Sequence, residues 1–130
     1  MFILDERLHK DTALVGRFEL CLLLLHRDSN YPWFILVPQR EGISEIHHLS
    51  SSEQQLLLAE SGLVARALTS LFAPDKLNIA TLGNIVAQLH IHHVAPAGEY
   101  ALDRLADRVE AMRQALAGEI TIGDINNAPE

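Results

Sequence analysis

The most informative stretch of this chain reads Gly83-Asn84-Ile85-Val86-Ala87-Gln88-Leu89-His90-Ile91-His92-His93-Val94. An alternating apolar run from Lys76 to Leu82 precedes this stretch. The Gly83-Asn84 pair lies between that run and the apolar residues from Ile85 onward, an arrangement typical of a β-hairpin. We therefore predict a strand from Ile85 to Val94. Because successive strand residues point to opposite faces, Gln88, His90 and His92 are expected to line the same face of the sheet.

Two imidazoles and one amide on a single face form a candidate reactive group. Imidazole titrates near neutrality, so a pair can supply a nucleophile with an acid or base, or two metal ligands. A lone histidine in a strand is usually a hydrogen-bonded core or edge residue, whereas the i, i+2 spacing of His90 and His92 favours functional use. His93 faces the other way and is predicted to pack in the core.

Length, charge and cysteine content limit the class of protein. At 130 residues the chain is expected to form a single domain over residues 1–117, followed by a C-terminal tail, 118–130. The formal charge is −7 and lysines and arginines are not clustered, so long nucleic acid is not an expected partner. The sequence also lacks a long apolar span and an N-terminal secretory signal, and Cys21 is the only cysteine. These features predict a cytoplasmic protein that does not bind membranes.

The remaining elements follow from periodicity and turn chemistry. Strands are predicted at Phe18 to Leu25 and Trp33 to Val37, paired as a hairpin, and helices at Asp5 to Asp11 and Tyr100 to Ala117. A capping box at Ser50 and Glu53 starts the main helix, which runs to Pro74. Neither strand of the hairpin alternates, so the sheet is expected to be covered by helices on one face and by a partner subunit or ligand on the other.

This order of elements resembles the histidine triad (HIT) family of nucleotide hydrolases and transferases. The resemblance is carried by three stretches: Tyr31 to Pro38, Ile46 to Ser50, and Gly83 to Val94. The family motif is His-φ-His-φ-His-φ-φ, where φ is apolar. Here the three histidine positions are occupied by Gln88, His90 and His92, a Gln-φ-His-φ-His-His pattern similar to that of a bacterial subgroup. The resemblance implies an α+β, HIT-like fold: an antiparallel sheet of about five strands with one main helix and a C-terminal helix, assembled as a homodimer.

The resemblance also implies a reaction and roles for named residues. His90 would attack the α-phosphate of a nucleoside phosphate derivative and form a nucleotidyl-histidine, which water then resolves. His92 and Gln88 would supply donating and orienting contacts. Asn84 stands where the family often has a phosphate-contacting residue. No metal or other cofactor is implied.

The first hairpin turn resembles the region of the family that contacts the ribose. Asp28 and Asn30 are the polar side chains of that turn in this sequence. They are the remaining candidates for substrate binding.

Departures from the family pattern keep two other functions open. Gln88 cannot ionise, and Ile85 stands where many relatives carry Ser or Thr, so a nucleotide-binding or regulatory dimer with weak turnover is one alternative. The less favoured alternative is a metal-binding protein that uses the His-x-His pair, with His47 or Glu99 as a third ligand. His47 and His48 are otherwise predicted to lie at the surface. Relatives usually have a Trp- and Pro-containing loop after the histidines, whereas Val94 to Gly98 passes almost directly into the last helix.

Overall fold

The computed structural model describes residues 1–27, 30–96 and 104–123. In these ranges the helices are α1 (Glu6–Asp11), α2 (Ser51–Phe72) and α3 (Leu105–Ala115), with a 3-10 turn at Ile46–His48. The strands are β1 (Thr12–Arg17), β2 (Cys21–His26), β3 (Trp33–Pro38), β4 (Asn78–Thr81) and β5 (Ile91–Val94). They form a five-stranded antiparallel sheet in the order β1-β2-β3-β5-β4. The predicted α+β class with a five-stranded antiparallel sheet is confirmed.

Local signals set the ends of the main helix α2. The Ser50 hydroxyl accepts a hydrogen bond from the Glu53 backbone N–H at 3.2 Å, and the Glu53 carboxylate accepts one from the Ser50 N–H at 2.9 Å. This is the predicted capping box. The helix ends at Phe72, where Ala73 takes a left-handed conformation just before Pro74.

The start of the sheet differs from the prediction. The run from Phe18 to Leu25 was expected to be one strand, but β2 begins at Cys21, and a separate strand, β1, precedes it. The Glu60 carboxylate on α2 accepts hydrogen bonds from the backbone N–H groups of Leu20 and Cys21, each at 2.9 Å. The turn between β1 and β2 is therefore stabilised by a residue far away in the sequence.

The histidine strand is shorter than the sequence predicts. β4 and β5 do pair, with Asn78 opposite Val94 and Thr81 opposite Ile91, but residues 82–90 form an irregular connection. The predicted strand from Ile85 and its two-residue Gly-Asn turn are therefore wrong. Backbone groups of this connection bond to other segments of the protein, since the Leu89 N–H donates to the Ile43 carbonyl at 3.0 Å.

Both faces of the sheet are covered within the chain. One face packs against α2 and α3, and buries residues such as Leu23 and Phe34. The other face carries Leu22, Leu24, Ile35 and Val37, and is covered by the N-terminal segment through Leu4 and Leu8. Cover on both faces is confirmed: this segment covers part of the second face, and the expected contribution of a partner or ligand to that face stays a prediction.

The C-terminal part of the structure adds a short bridge to the edge of β1. The backbone groups of Arg17 and Thr121 exchange two hydrogen bonds of 2.8 Å. The proposed division between a domain and a tail at residue 117 stays a prediction. The predicted start of the last helix and the end of the loop after the histidines fall within residues 97–103, outside the described residues. No helix in the described ranges is both long and apolar enough to cross a bilayer.

Candidate active site

The two candidate histidines lie side by side although they do not share a strand. His92 belongs to β5, and His90 directly precedes that strand. Their ring centroids are 4.8 Å apart and the rings are nearly perpendicular, at 79°. The structure therefore brings together the pair that the sequence singled out.

His90 is held in one tautomer by the main chain. Its Nδ1 lies 2.7 Å from the carbonyl oxygen of Gln88, and because a carbonyl can only accept, Nδ1 carries the proton. Nε2 of the neutral ring then has a free lone pair and has no hydrogen-bond partner among the described residues. His90 is only 6% exposed, so this unprotonated nitrogen lies in a sheltered environment and has the chemistry that a nucleophile requires.

His92 is held in the opposite tautomer by the indole of Trp33. Nε1 of Trp33 donates to Nδ1 of His92 at 2.9 Å, so the ring proton of neutral His92 lies on Nε2. Burial, followed by the neighbouring His90 and His26, lowers the pKa of His92 to about 4. Near neutral pH, His92 is therefore an uncharged hydrogen-bond donor next to the His90 ring.

Trp33 is the site residue that the sequence reasoning missed. It is the only tryptophan in the chain, and it was considered only as part of a strand and of the stretch from Tyr31 to Pro38 that carries the family resemblance. The sequence held no local signal for its role, which depends on the register of β3 with β5: Trp33 pairs with Val94 and Ile35 pairs with His92, so Trp33 and His92 are diagonal neighbours. Such diagonal neighbours on one face lie within reach of an aromatic side chain.

Gln88 bonds to the N-terminal segment through its side chain and to His90 through its backbone. Its Oε1 accepts from the Asp5 N–H at 2.8 Å, and its Nε2 donates to the Ile3 carbonyl at 2.9 Å. Arg7 adds a 2.8 Å bond from its guanidinium to the Ile85 carbonyl. The amide thus ties the N-terminal segment to the loop that leads into His90, while the Gln88 carbonyl orients the His90 ring.

The other candidate substrate-binding residues are Asn84, Asn30 and Asp28. Asn84 and Asn30 are both exposed, and in the described part of the chain neither has a hydrogen bond to His90 or His92. Asp28 lies outside the described residues. Their contacts with a substrate stay predictions.

His93, His47 and His48 lie where the sequence placed them, whereas His26, which was expected to be solvated, stacks on Trp33 with ring centroids 4.6 Å apart. His93 is fully buried, where its Nδ1 donates to the Ile91 carbonyl at 3.1 Å and its Nε2 accepts from the Ser61 hydroxyl at 2.7 Å. Its predicted packing role is confirmed. His47 and His48 are exposed and their rings contact each other, 4.7 Å apart.

The third ligand that the metal-binding alternative needs has not been located. In the three described ranges, no three His, Cys, Asp or Glu side chains are grouped in a way that could hold a metal ion. Of the two candidates named from the sequence, Glu99 falls outside these ranges, and His47 makes its described ring contact with His48 rather than with the pair.

Comparison with known proteins identifies the family. The HIT domain profile matches residues 7–99, whereas no curated protein matches the chain significantly. A solved histidine triad protein from Sinorhizobium meliloti is 34% identical, with 89% of this chain and 98% of that chain covered and a TM-score of 0.79. One from Marinobacter aquaeolei is 38% identical, with 92% and 96% covered and a TM-score of 0.77.

A more distant structure shares the fold alone. It is described as a hypothetical histidine triad nucleotide-binding protein from Sulfolobus tokodaii, and is 14% identical over 86% of this chain and 92% of that chain, with a TM-score of 0.60. The profile match and the two closer structures show that this chain belongs to the HIT family.

Proposed function

We propose that the chain is a nucleotide hydrolase or transferase in which His90 is the nucleophile. Nε2 of His90 would attack the α-phosphorus of a nucleoside phosphate derivative, forming an N–P bond as the bond from phosphorus to the leaving group breaks. Water would then attack the same phosphorus, releasing the mononucleotide and restoring the neutral imidazole. The observation that carries this proposal is the 2.7 Å contact of His90 Nδ1 with the Gln88 carbonyl, which leaves Nε2 unprotonated.

His92 would stabilise the transferring phosphoryl group. Its Nε2–H is a neutral hydrogen-bond donor next to the His90 ring. A donor directed at a developing negative charge stabilises the transition state most where water is partly excluded. Asn84, Asn30 and Asp28 would add contacts to the phosphate and ribose when substrate is bound. The chemistry needs no metal or other cofactor in this scheme.

Trapping the covalent intermediate tests this proposal. Adenosine 5′-phosphoramidate labelled at phosphorus is mixed with excess protein and quenched with alkali, because the phosphorus–nitrogen bond to histidine is labile in acid. The wild type should acquire label on His90. His90→Asn should acquire none, while the Asn amide can still donate to the Gln88 carbonyl and preserve the local fold. The exposed His47→Asn serves as the matched control and should label like the wild type.

Label retained in His90→Asn would show that another group is the nucleophile. A wild type that binds adenosine monophosphate but neither becomes labelled nor turns over any phosphoramidate, dinucleoside polyphosphate or nucleotidyl sulfate would instead support the nucleotide-binding dimer. That alternative is favoured by one observation: the polar amide of Gln88 is committed to the N-terminal segment and not to the histidine pair.

We also propose that the protein is a homodimer, through the surface formed by α2 and β4. All four residues of β4 are exposed, and this strand is an edge of the sheet. A groove of about 410 Å³ lies beside it, and the apolar residues along it include Leu58, 76% exposed, and Ile79, 49% exposed. An exposed edge next to apolar side chains is the kind of surface that a second copy covers. The cytoplasmic location predicted from the sequence belongs to the same proposal and is tested by cell fractionation.

A further inference from the structure

The indole of Trp33 is bonded to the histidine that faces the nucleophile. Its Nε1–H donates to Nδ1 of His92 at 2.9 Å, and an indole N–H cannot accept in return. We propose that Trp33 is a positioning residue that keeps the proton of neutral His92 on Nε2, so that this N–H is available to the transferring group beside His90. The catalytic consequence rests on the proposed function, whereas the tautomer of His92 can be measured without any substrate.

The sheet fixes the direction of the Trp33 N–H. Trp33 and His92 lie on one face of the β3–β5 pair, with ring centroids 5.5 Å apart at 62°. On the neighbouring strand β2, His26 stacks against the indole with centroids 4.6 Å apart and planes 14° from parallel. The stacked ring restricts rotation of the indole, and the edge that carries the N–H therefore points toward His92.

This bond determines what His92 can do. While Nδ1 accepts from Trp33, a second ring proton can only be added by breaking that bond, so the ring stays neutral. Burial contributes most to the lowered pKa of His92, and the titratable groups that face it in the described part of the chain, His90 and His26, lower that pKa further. An unconstrained imidazole exchanges its proton between two nitrogens and can also become charged, whereas His92 is held ready as a donor on the side away from Trp33.

The first experiment is nuclear magnetic resonance on protein labelled with nitrogen-15 in tryptophan and histidine. The wild type should show scalar coupling between Trp33 Nε1 and His92 Nδ1 across the hydrogen bond, a protonated Nε2, and a His92 titration midpoint well below 6.5. Because the chain has a single tryptophan, a tryptophan-requiring host can replace Trp33 with β-(3-benzothienyl)alanine. This analogue keeps the ring shape and has sulfur in place of the N–H.

In the sulfur analogue, Nδ1 of His92 should accept a proton at higher pH than in the wild type. Turnover of adenosine 5′-phosphoramidate should fall about 10²-fold in kcat with little change in KM, because the lost donor acts on the transition state. Trp33→Phe keeps an aromatic ring without the N–H and should reproduce both changes. Protein expressed in the same host with ordinary tryptophan is the matched control.

Three outcomes would overturn the inference. They are absence of the coupling in the wild type, an unchanged tautomer and titration of His92 in the sulfur analogue, and a changed tautomer with unchanged kcat. A wild type without turnover would contradict the proposed function instead. In that case the coupling and the titration alone decide whether Trp33 holds His92.

Discussion

Replacing Gln88 with leucine should weaken the attachment of the N-terminal segment to the loop that leads into His90. The substitution removes both hydrogen bonds of the amide, from the Asp5 N–H at 2.8 Å and to the Ile3 carbonyl at 2.9 Å. The Ile3 group is exposed and regains a bond to water, but the Asp5 N–H is partly buried and loses its partner. An unpaired buried donor costs about 1–3 kcal/mol, so we expect the free energy of unfolding to fall by about 2 kcal/mol.

Urea unfolding and amide hydrogen exchange measure this loss. A local loss of 2 kcal/mol speeds exchange at the Asp5 N–H by roughly 30-fold, since about 1.4 kcal/mol is a factor of ten. Gln114→Leu is the matched control, because Gln114 is exposed and, among the described residues, its side chain bonds only to Glu110, at 3.3 Å. It should change stability by less than about 0.5 kcal/mol.

Activity distinguishes an anchoring role from a catalytic one. In Gln88→Leu the Gln88 carbonyl is replaced by an equivalent leucine carbonyl, so the bond that orients His90 survives but its supporting loop loosens. We expect turnover to be impaired, and Gln88→His, whose ring can keep one of the two bonds, to fold and retain or increase it. The reasoning is refuted if Gln88→Leu exchanges at Asp5 and unfolds like the wild type. If Gln88→His creates hydrolysis in a chain that otherwise has none, the nucleotide-binding alternative replaces the catalytic proposal.

Four further predictions address other parts of the molecule. His92→Ala should slow turnover by about 10²- to 10⁴-fold without preventing nucleotide binding, and a single-turnover rate equal to wild type would remove His92 from the site. Burial lowers the pKa of His92 and of His93 to about 4, below the ordinary value of 6.5, so on acidification the unfolded chain takes up protons before the folded protein does. The free energy of unfolding should therefore fall as the pH drops from about 6.5 toward 4. Urea midpoints that do not change over that range would contradict this prediction. Ser61→Ala leaves Nε2 of buried His93 without its 2.7 Å donor and should cost about 1–3 kcal/mol in chemical denaturation, while a neutral effect would mean that the bond is replaced. Leu58→Asp should convert a dimer to a monomer, as measured by light scattering at micromolar protein concentration, whereas Ile122→Asp, at a residue exposed elsewhere, should leave the dimer intact. A wild type that is already monomeric would refute the proposed dimer.

Much of the fold could be predicted because its signals are local. Ser50 and Glu53 are three positions apart and form the cap of α2 in the structure as the sequence predicted. The hairpin of β2 and β3 likewise follows from apolar runs separated by turn residues. β4 pairs with β5 as expected, but through an irregular connection rather than the predicted two-residue turn. The proximity of the candidate pair could also be predicted, since side chains at i and i+2 of an extended segment point to the same side and His90 directly precedes β5.

The tertiary structure alone decided which groups hold that pair. The partner of His92 lies 59 positions earlier, at Trp33, and the backbone partner of the Gln88 amide lies 83 positions away, at Asp5. The backbone of Leu20 likewise bonds to Glu60, 40 positions later, at the start of β2. Periodicity reports only which way a side chain points, and capping signals reach only a few residues. The partner of each polar group depends instead on which segments the packed sheet brings within about 3 Å, and that distance is set by the whole core.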